Sequence, residues 1–298
     1  MRLCALILAG LAASTLNWSQ AGHSATVPAA TAEQRLPHIS ITTVGSGDPV
    51  VLIPGLSSPR AVWDGVVPPL AARHRVILVQ LNGFAGDDPG ANLQPGVIAG
   101  AVADLHAYLQ AHKLGTAKIV GHSLGGLIAL DLAKIHPSDA SGLMIVDALP
   151  YVGDIFLPGA TVAQVEPQAK MMRDQIAGSY GKVDPALAQK TAAGMALTPA
   201  AQAQVAGWIQ RSDSRVTAEG MYEDMTTDLR PDMAAITTPI TLVYPTSTAM
   251  PKERADPFYH GEYAKAPNVT YVPIANSGHF IMLDQPQAFA AAVANFTK

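Results

Sequence analysis

The stretch Lys118-Ile119-Val120-Gly121-His122-Ser123-Leu124-Gly125-Gly126 decides how this chain reads. A short apolar run leads into Gly121-His122. Beyond Ser123, apolar residues recur at helical spacing from Leu124 to His136, where Pro137 stops the pattern. The order is therefore strand, sharp turn, helix, with a serine at the turn. Glycines two residues to either side leave room for strained dihedrals at the serine. A serine hydroxyl is a weak nucleophile at neutral pH and needs a base for its proton and donors for the oxyanion it creates. The N–H of Leu124 lies at the helix start, where free donors and the helix dipole favour negative charge. With Gly and Ser each near 7% of residues, a G-x-S-x-G string arises by chance in roughly one chain in ten of this length. Its weight here comes from the strand and helix around it and from matching parts elsewhere.

Working outward, apolar runs alternate with helix-length segments. Strands are expected at 38–44, 50–53, 76–79, 119–120, 143–146, 240–244 and 269–272, the last ended by Pro273. Runs that are apolar throughout suit strands buried on both faces of a parallel sheet. Helices are expected at 97–112, 124–136 and 286–295. This alternation implies an α/β fold with a doubly wound, mostly parallel sheet. It breaks between about Pro150 and Ile236, a stretch rich in Ala, Gln and Met with no strand pattern. The expected organisation is a core of 38–149 and 236–298 with a helical cap inserted at 150–235.

Two further parts complete a hydrolytic site. The base is His279, in Asn276-Ser277-Gly278-His279-Phe280, because its loop follows the last strand and reaches the same sheet edge as Ser123. The second oxyanion donor is the backbone N–H of Leu56, in the loop Pro54-Gly55-Leu56-Ser57 after an early strand. His122 adjoins the nucleophile and is expected to pack. The histidines show neither paired helical spacing nor neighbouring cysteines, so no metal and no cofactor is expected.

On these residues the chain resembles the α/β-hydrolase superfamily, in its single-domain esterase-like branch with a helical cap. The resemblance runs from about His38 to Phe296 and includes the serine elbow, the Pro54-Gly55 loop, Trp63, Pro69-Leu70-Ala71, Arg75-Val76 and Gly278-His279-Phe280 with Asp284-Gln285-Pro286. It implies the α/β-hydrolase fold and a Ser-His-acid triad. The family pattern usually opens the oxyanion loop with His-Gly, where this chain has Pro54-Gly55. It also has Asp-x-x-Gly where this chain has Gln80-Leu81-Asn82-Gly83. Both departures leave the backbone roles intact.

The triad acid departs further. The family's usual turn is here Tyr244-Pro245-Thr246-Ser247-Thr248, which has no carboxylate. The alternative family position, the end of the strand after the nucleophile's helix, holds Asp147. Its charge at the tip of an apolar strand needs a partner, and an imidazole N–H would supply one. Asp256 and Glu253 stand as alternatives further along. Asp284 reads as an N-terminal residue of the last helix.

The 298 residues carry 49% hydrophobic content and a net charge of −4, with no basic cluster along a face, so nucleic acid is not an expected partner. Arg2 followed by the apolar run Leu3–Leu16 and the small residues Ser19 and Ala21 fits a secretory signal peptide at 1–21. That run is shorter than the roughly 20 residues needed to span a bilayer. Residues 22–37 then form a polar tether, and export to the periplasm or medium is expected, with no stable membrane span in the mature chain. The one cysteine, Cys4, lies in the segment to be removed.

The cap is expected to cover Ser123 and set specificity. Met171, Met172, Met195, Met221, Met225, Tyr151, Phe156, Trp208 and Tyr222 are candidates for an apolar, adaptable lining. The expected partner is a small ester-like substrate with apolar parts. A carbon–carbon bond hydrolase, a cofactor-free peroxidase and a catalytically silent ligand-binding protein are alternatives on the same scaffold.

Overall fold

The computed structural model describes residues 30–298. The expected signal peptide and the first half of the expected tether, 22–29, lie outside those residues. Eight strands form one sheet: β1 Gln34–Arg35, β2 Ile39–Val44, β3 Pro49–Ile53, β4 Arg75–Leu81, β5 Ala117–His122, β6 Ala140–Val146, β7 Ile240–Thr246 and β8 Val269–Ala275. Their order across the sheet is β1-β2-β4-β3-β5-β6-β7-β8. The first two pairings, β1 with β2 and β2 with β4, are antiparallel, and all the others are parallel. The doubly wound, mostly parallel sheet expected from the alternating pattern is therefore the observed architecture.

The central strands are buried along almost their whole length, with Val51, Leu52, Ile119, Val120, Leu143 and Ile145 all at 0–1% exposure. This is what continuous apolar runs require. Helices α1 Val67–Ala71, α2 Val97–Ala111 and α3 Leu124–Ile135 connect the first six strands. After β7 come α9 Lys252–Glu262 and, beyond β8, α10 Ile281–Asp284 and α11 Pro286–Phe296.

Two expectations change at the sheet's margins. Pro273 does not end the last strand, because β8 runs through it to Ala275. β8 is the sheet's edge and pairs only with β7, so a residue without an N–H loses no ladder bond on the open side. Gln34–Arg35, read as tether, instead pairs with Ser40 and Ile41 as a short edge strand.

Between β6 and β7 lie α4 Gly153–Phe156, α5 Val162–Ala177, α6 Pro185–Met195, α7 Pro199–Arg211 and α8 Ser214–Thr226. Their starts carry local signals. Thr161 and Gln164 form a capping box on α5, and the Asp184 and Asp213 side chains accept from Ala186 N and Arg215 N at the starts of α6 and α8. The helices share a small core of Tyr151, Val165, Ala169 and Met225.

Two carboxylates tie this cap to the core domain. Glu223 of α8 accepts from Gly96, Val97 and Ile98 N–H groups at the start of α2, satisfying donors a helix end leaves free. Asp284 does the same for the turn before α7, accepting from Leu197 and Thr198 N–H at 3.0 Å, and it also accepts from Gly278 N at 2.9 Å. Asp284 is thus a clamp between the cap and the β8 loop, and not the first-turn residue of the final helix that its position before Pro286 suggested.

Candidate active site

Register brings the site together. Ile53 pairs with Gly121, His122 with Val146, and Val146 with Val243. The chain therefore leaves β3, β5 and β6 at neighbouring points on one sheet edge, delivering Pro54, Ser123 and Asp147. Carboxyl ends of parallel strands are where open α/β sheets form their crevices.

Ser123 has φ 53° and ψ −125°, a sparsely populated backbone state. Its N–H donates to Val146 O at 3.0 Å, and its carbonyl accepts from Gly126 N at 2.7 Å. The flanking glycines are demanded by contact. A Cβ on Gly121 would lie 2.2 Å from Gly125 O, and one on Gly125 would lie 2.4 Å from Ile53 O. The β5–α3 turn and the end of β3 are packed backbone against backbone.

The Pro54–Ser57 loop also passes close: a Cβ on Gly55 would lie 2.9 Å from Ser123 Cβ. Neither Leu56 N–H nor Leu124 N–H is used in the hydrogen bonds of the described residues, and Leu124 opens α3. Both expected oxyanion donors are thus free beside the serine. The loop is braced from above by α8, through Ser57 Oγ to Thr217 Oγ1 at 2.9 Å.

His279 sits in a loop tied at almost every residue. Ser277 N donates to Thr246 O, Gly278 N to Asp284, and Phe280 N to Met195 O. His122, fully buried, bonds the His279 carbonyl through Nε2 at 3.0 Å. A carbonyl only accepts, so His122 carries its proton on Nε2. Burial, reinforced by the His279 ring beside it, holds the His122 pKa well below its ordinary value, so it stays neutral. His122 packs, as expected, and it also fixes the backbone of His279.

Asp147 Oδ2 lies 2.7 Å from His279 Nδ1. A carboxylate only accepts, which puts the proton on Nδ1 and leaves Nε2 bare. Asp147 Oδ1 accepts from the Tyr259 hydroxyl. Of the alternative acids, Asp256 is engaged by Tyr244 OH and Lys252 Nζ, and Glu253 is exposed at the start of α9. Neither bonds His279. Sequence reasoning missed Tyr259, which carries no local signal. Its hydroxyl reaches Asp147 only because α9 packs back against β7.

Ser123 and His279 open into one cavity of about 380 Å³, walled by Leu56, Leu187, Trp208 and Met221 among others. Of the expected lining residues, Phe156, Trp208, Met195 and Met221 face it. Tyr151 and Met225, with Met172 and Tyr222 against them, build the cap's own core, and Met171 is 63% exposed. A second chamber of about 180 Å³ also touches Ser123 and His279, and is bounded by Asp147, Tyr259 and Asp224. Asp224 is a second residue the sequence did not single out. Enclosure by protein pushes its pKa up to about 7, against an opposing pull from His279. Among the described residues no three His, Cys, Asp or Glu side chains converge to hold a metal, and no helix is long and apolar enough to cross a membrane.

Comparison with known proteins agrees with this geometry. The pimeloyl-[acyl-carrier protein] methyl ester esterase of Aeromonas hydrophila is 39% identical over 114 residues, 38% of this chain and 42% of that protein. The match thus spans less than half of that relative's length. The esterase of the same description from Edwardsiella ictaluri is 27% identical over 262 residues, 85% of this chain and 95% of its own. Among solved structures, a thermophilic esterase from Thermogutta terrifontis superimposes with a TM-score of 0.72 at 18% identity, covering 90% of this chain and 98% of that one, a likeness of fold. The family model described as Alpha/beta hydrolase family matches residues 50–292. With the sheet order, the strained serine turn and this match in agreement, the chain belongs to the alpha/beta hydrolase family.

Proposed function

We propose that this protein is a serine hydrolase that cleaves a carboxylic ester of a small, partly apolar substrate. The observation that carries the reading is the 2.7 Å bond between Asp147 and His279 Nδ1, made on a histidine that shares its cavity with the strained Ser123. That bond leaves Nε2 as an available base. Ser123 Oγ attacks the acyl carbon while His279 Nε2 takes its proton. The oxyanion is held by the N–H groups of Leu56 and Leu124. His279 then returns the proton to the departing alcohol, leaving an acyl-enzyme. Water, deprotonated by His279, attacks that ester and releases the acid. Asp147 holds the imidazole in the required tautomer and stabilises its charged form. The apolar walls of the larger cavity suit an acyl chain, and relatives described as methyl ester esterases favour esters among acyl compounds.

The test combines labelling with turnover. A fluorophosphonate probe is expected to label the wild type and not Ser123→Ala. Ser123→Ala is expected to lower turnover of p-nitrophenyl esters by about 10⁶-fold. Wild-type turnover in Ser123→Ala would sink the mechanism.

We also propose that the protein is exported, on the strength of the charged and apolar pattern of residues 1–21. Cell fractionation with N-terminal sequencing of the mature chain tests this. A chain recovered from the cytoplasm with Met1 or Arg2 at its start would refute it.

A further inference from the structure

The ester reading leaves open which half of the substrate goes where. The two chambers at Ser123 differ in a way that bears on this. The larger one takes in Leu56, Ser57 and Ser58 of the oxyanion loop and continues between apolar side chains of the cap. The smaller one touches Ser123 and His279 but none of that loop, and three oxygen-bearing side chains, Asp147, Tyr259 and Asp224, border it. In an acyl transfer the carbonyl oxygen must lie in the oxyanion loop, and the departing oxygen must face the histidine that protonates it. The acyl half therefore belongs in the larger chamber and the alcohol half in the smaller one.

Asp224 stands at the junction, bordering both chambers. Asp147 and Tyr259 already satisfy each other and His279. Asp224 has no hydrogen-bond or ion-pair partner among the described residues, although it is partly buried on the wall that the two chambers share. Its placement is held firmly. The neighbouring Glu223 clamps the start of α2, and Thr217, two turns earlier on α8, holds Ser57. A fixed, partly buried carboxyl on a cavity wall, with no protein partner, offers a ligand an acceptor that the protein itself leaves unused. With a pKa pushed up to about 7 it passes between acid and carboxylate near neutrality, and both forms keep an oxygen that accepts a hydrogen bond. A neutral hydroxyl donor suits both forms.

We infer, resting on the ester-hydrolase reading, that Asp224 is a specificity-determining residue that accepts a hydrogen bond from a free hydroxyl on the alcohol half, so that the preferred substrates are monoesters of diols or polyols. Asp224 forms no covalent bond in the reaction. The hydrolysis consumes one water and yields the fatty or other apolar acid and the free polyol.

The experiment compares 2-hydroxyethyl hexanoate with propyl hexanoate at pH 7, by titrating released acid, in wild type, Asp224→Asn, Asp224→Leu and Asp224→Ala. The readout is the ratio of kcat/KM for the two esters within each protein. It is insensitive to the fraction folded, and the intrinsic difference between the leaving groups is common to all. The ratio is expected to fall by about tenfold in Asp224→Leu and Asp224→Ala, the size of one lost buried hydrogen bond. It should be largely retained in Asp224→Asn, whose amide oxygen still accepts. A ratio unchanged within twofold in both the Leu and Ala variants overturns the inference while leaving the ester reading standing. A wild type that hydrolyses neither ester overturns both.

Discussion

Asp147 Oδ2 lies 2.7 Å from His279 Nδ1 across 132 residues of sequence. The contact is produced by two strand ends. β6 delivers Asp147 with a φ of 46°, its N–H held by Val243 O at 2.8 Å, and β8 delivers the loop that His122 and Asp284 pin. Replacing Asp147 by Asn keeps the shape but no longer fixes the proton on Nδ1. Turnover is expected to fall by about 10³- to 10⁴-fold. Asp256→Asn and Glu253→Gln, whose side chains bond elsewhere or face solvent, should stay within about threefold. Steady-state kinetics on one ester across the three variants decides it, and a severe loss confined to Asp256→Asn would displace Asp147 from the site.

Tyr259 supports the same carboxylate from its other oxygen. The tyrosine is buried, and burial together with the adjacent Asp147 charge raises its pKa, so it remains a neutral donor throughout the working range. A hydrogen bond to a charged group contributes about 1.5–3 kcal/mol. Tyr259→Phe is therefore expected to lower kcat about tenfold with KM nearly unchanged, since its hydroxyl is spent on Asp147. A KM effect alone would mean that the ring only shapes the cavity.

The features legible in the sequence were those set by short-range pattern. The apolar runs at 50–53, 119–120 and 143–146 read as strands of a covered sheet, and the turn at Ser123 is marked by Gly121 and Gly125. Asp147 was reachable by position, because the turn at 244–248 offered no carboxylate. Asp224 and Tyr259 were not reachable. Each lies on a helix whose face is chosen by packing against distant elements: α8 through Glu223 on the start of α2, and α9 against β7. Pro273 misled for a related reason. A proline ends a central strand but not an edge strand, and which strand lies at the edge is a property of the whole sheet.

Gly125 carries a prediction about stability. A methyl group there would meet Ile53 O at 2.4 Å and Pro54 O at 2.6 Å, both backbone atoms of a buried strand end. No side-chain rotation relieves that clash, so α3 must shift away from β3. Gly125→Ala is expected to cost about 2 kcal/mol, in the usual range for overpacking. For a domain of this size that is several degrees in Tm. Calorimetry measures it, and fluorophosphonate labelling should slow in parallel because Leu124 N–H moves with the helix. Wild-type Tm and labelling would show that the turn is looser than the contact implies.

The pH dependence of stability tests two partly buried acids. Asp224 and Glu262 are both pushed up to about 7, from ordinary values of 3.8 and 4.5, by burial first. For Glu262 the neighbouring Asp154 adds to the effect, and its Oε2 has no partner. Between about pH 4 and pH 7 the folded chain holds protons that the unfolded chain has released. Stability from these two groups is therefore full at the acid end and lost as pH rises through 7, after which it levels. His122 works in the opposite sense, since its depressed pKa removes stability as pH falls below 6.5. The wild-type profile sums all three, so the informative quantity is the difference from a variant. Asp224→Asn with Glu262→Gln should flatten the decline in Tm between pH 5 and pH 8, with the gain over wild type growing toward alkaline pH. Parallel profiles for the two proteins would mean that neither carboxyl retains its proton in the folded state.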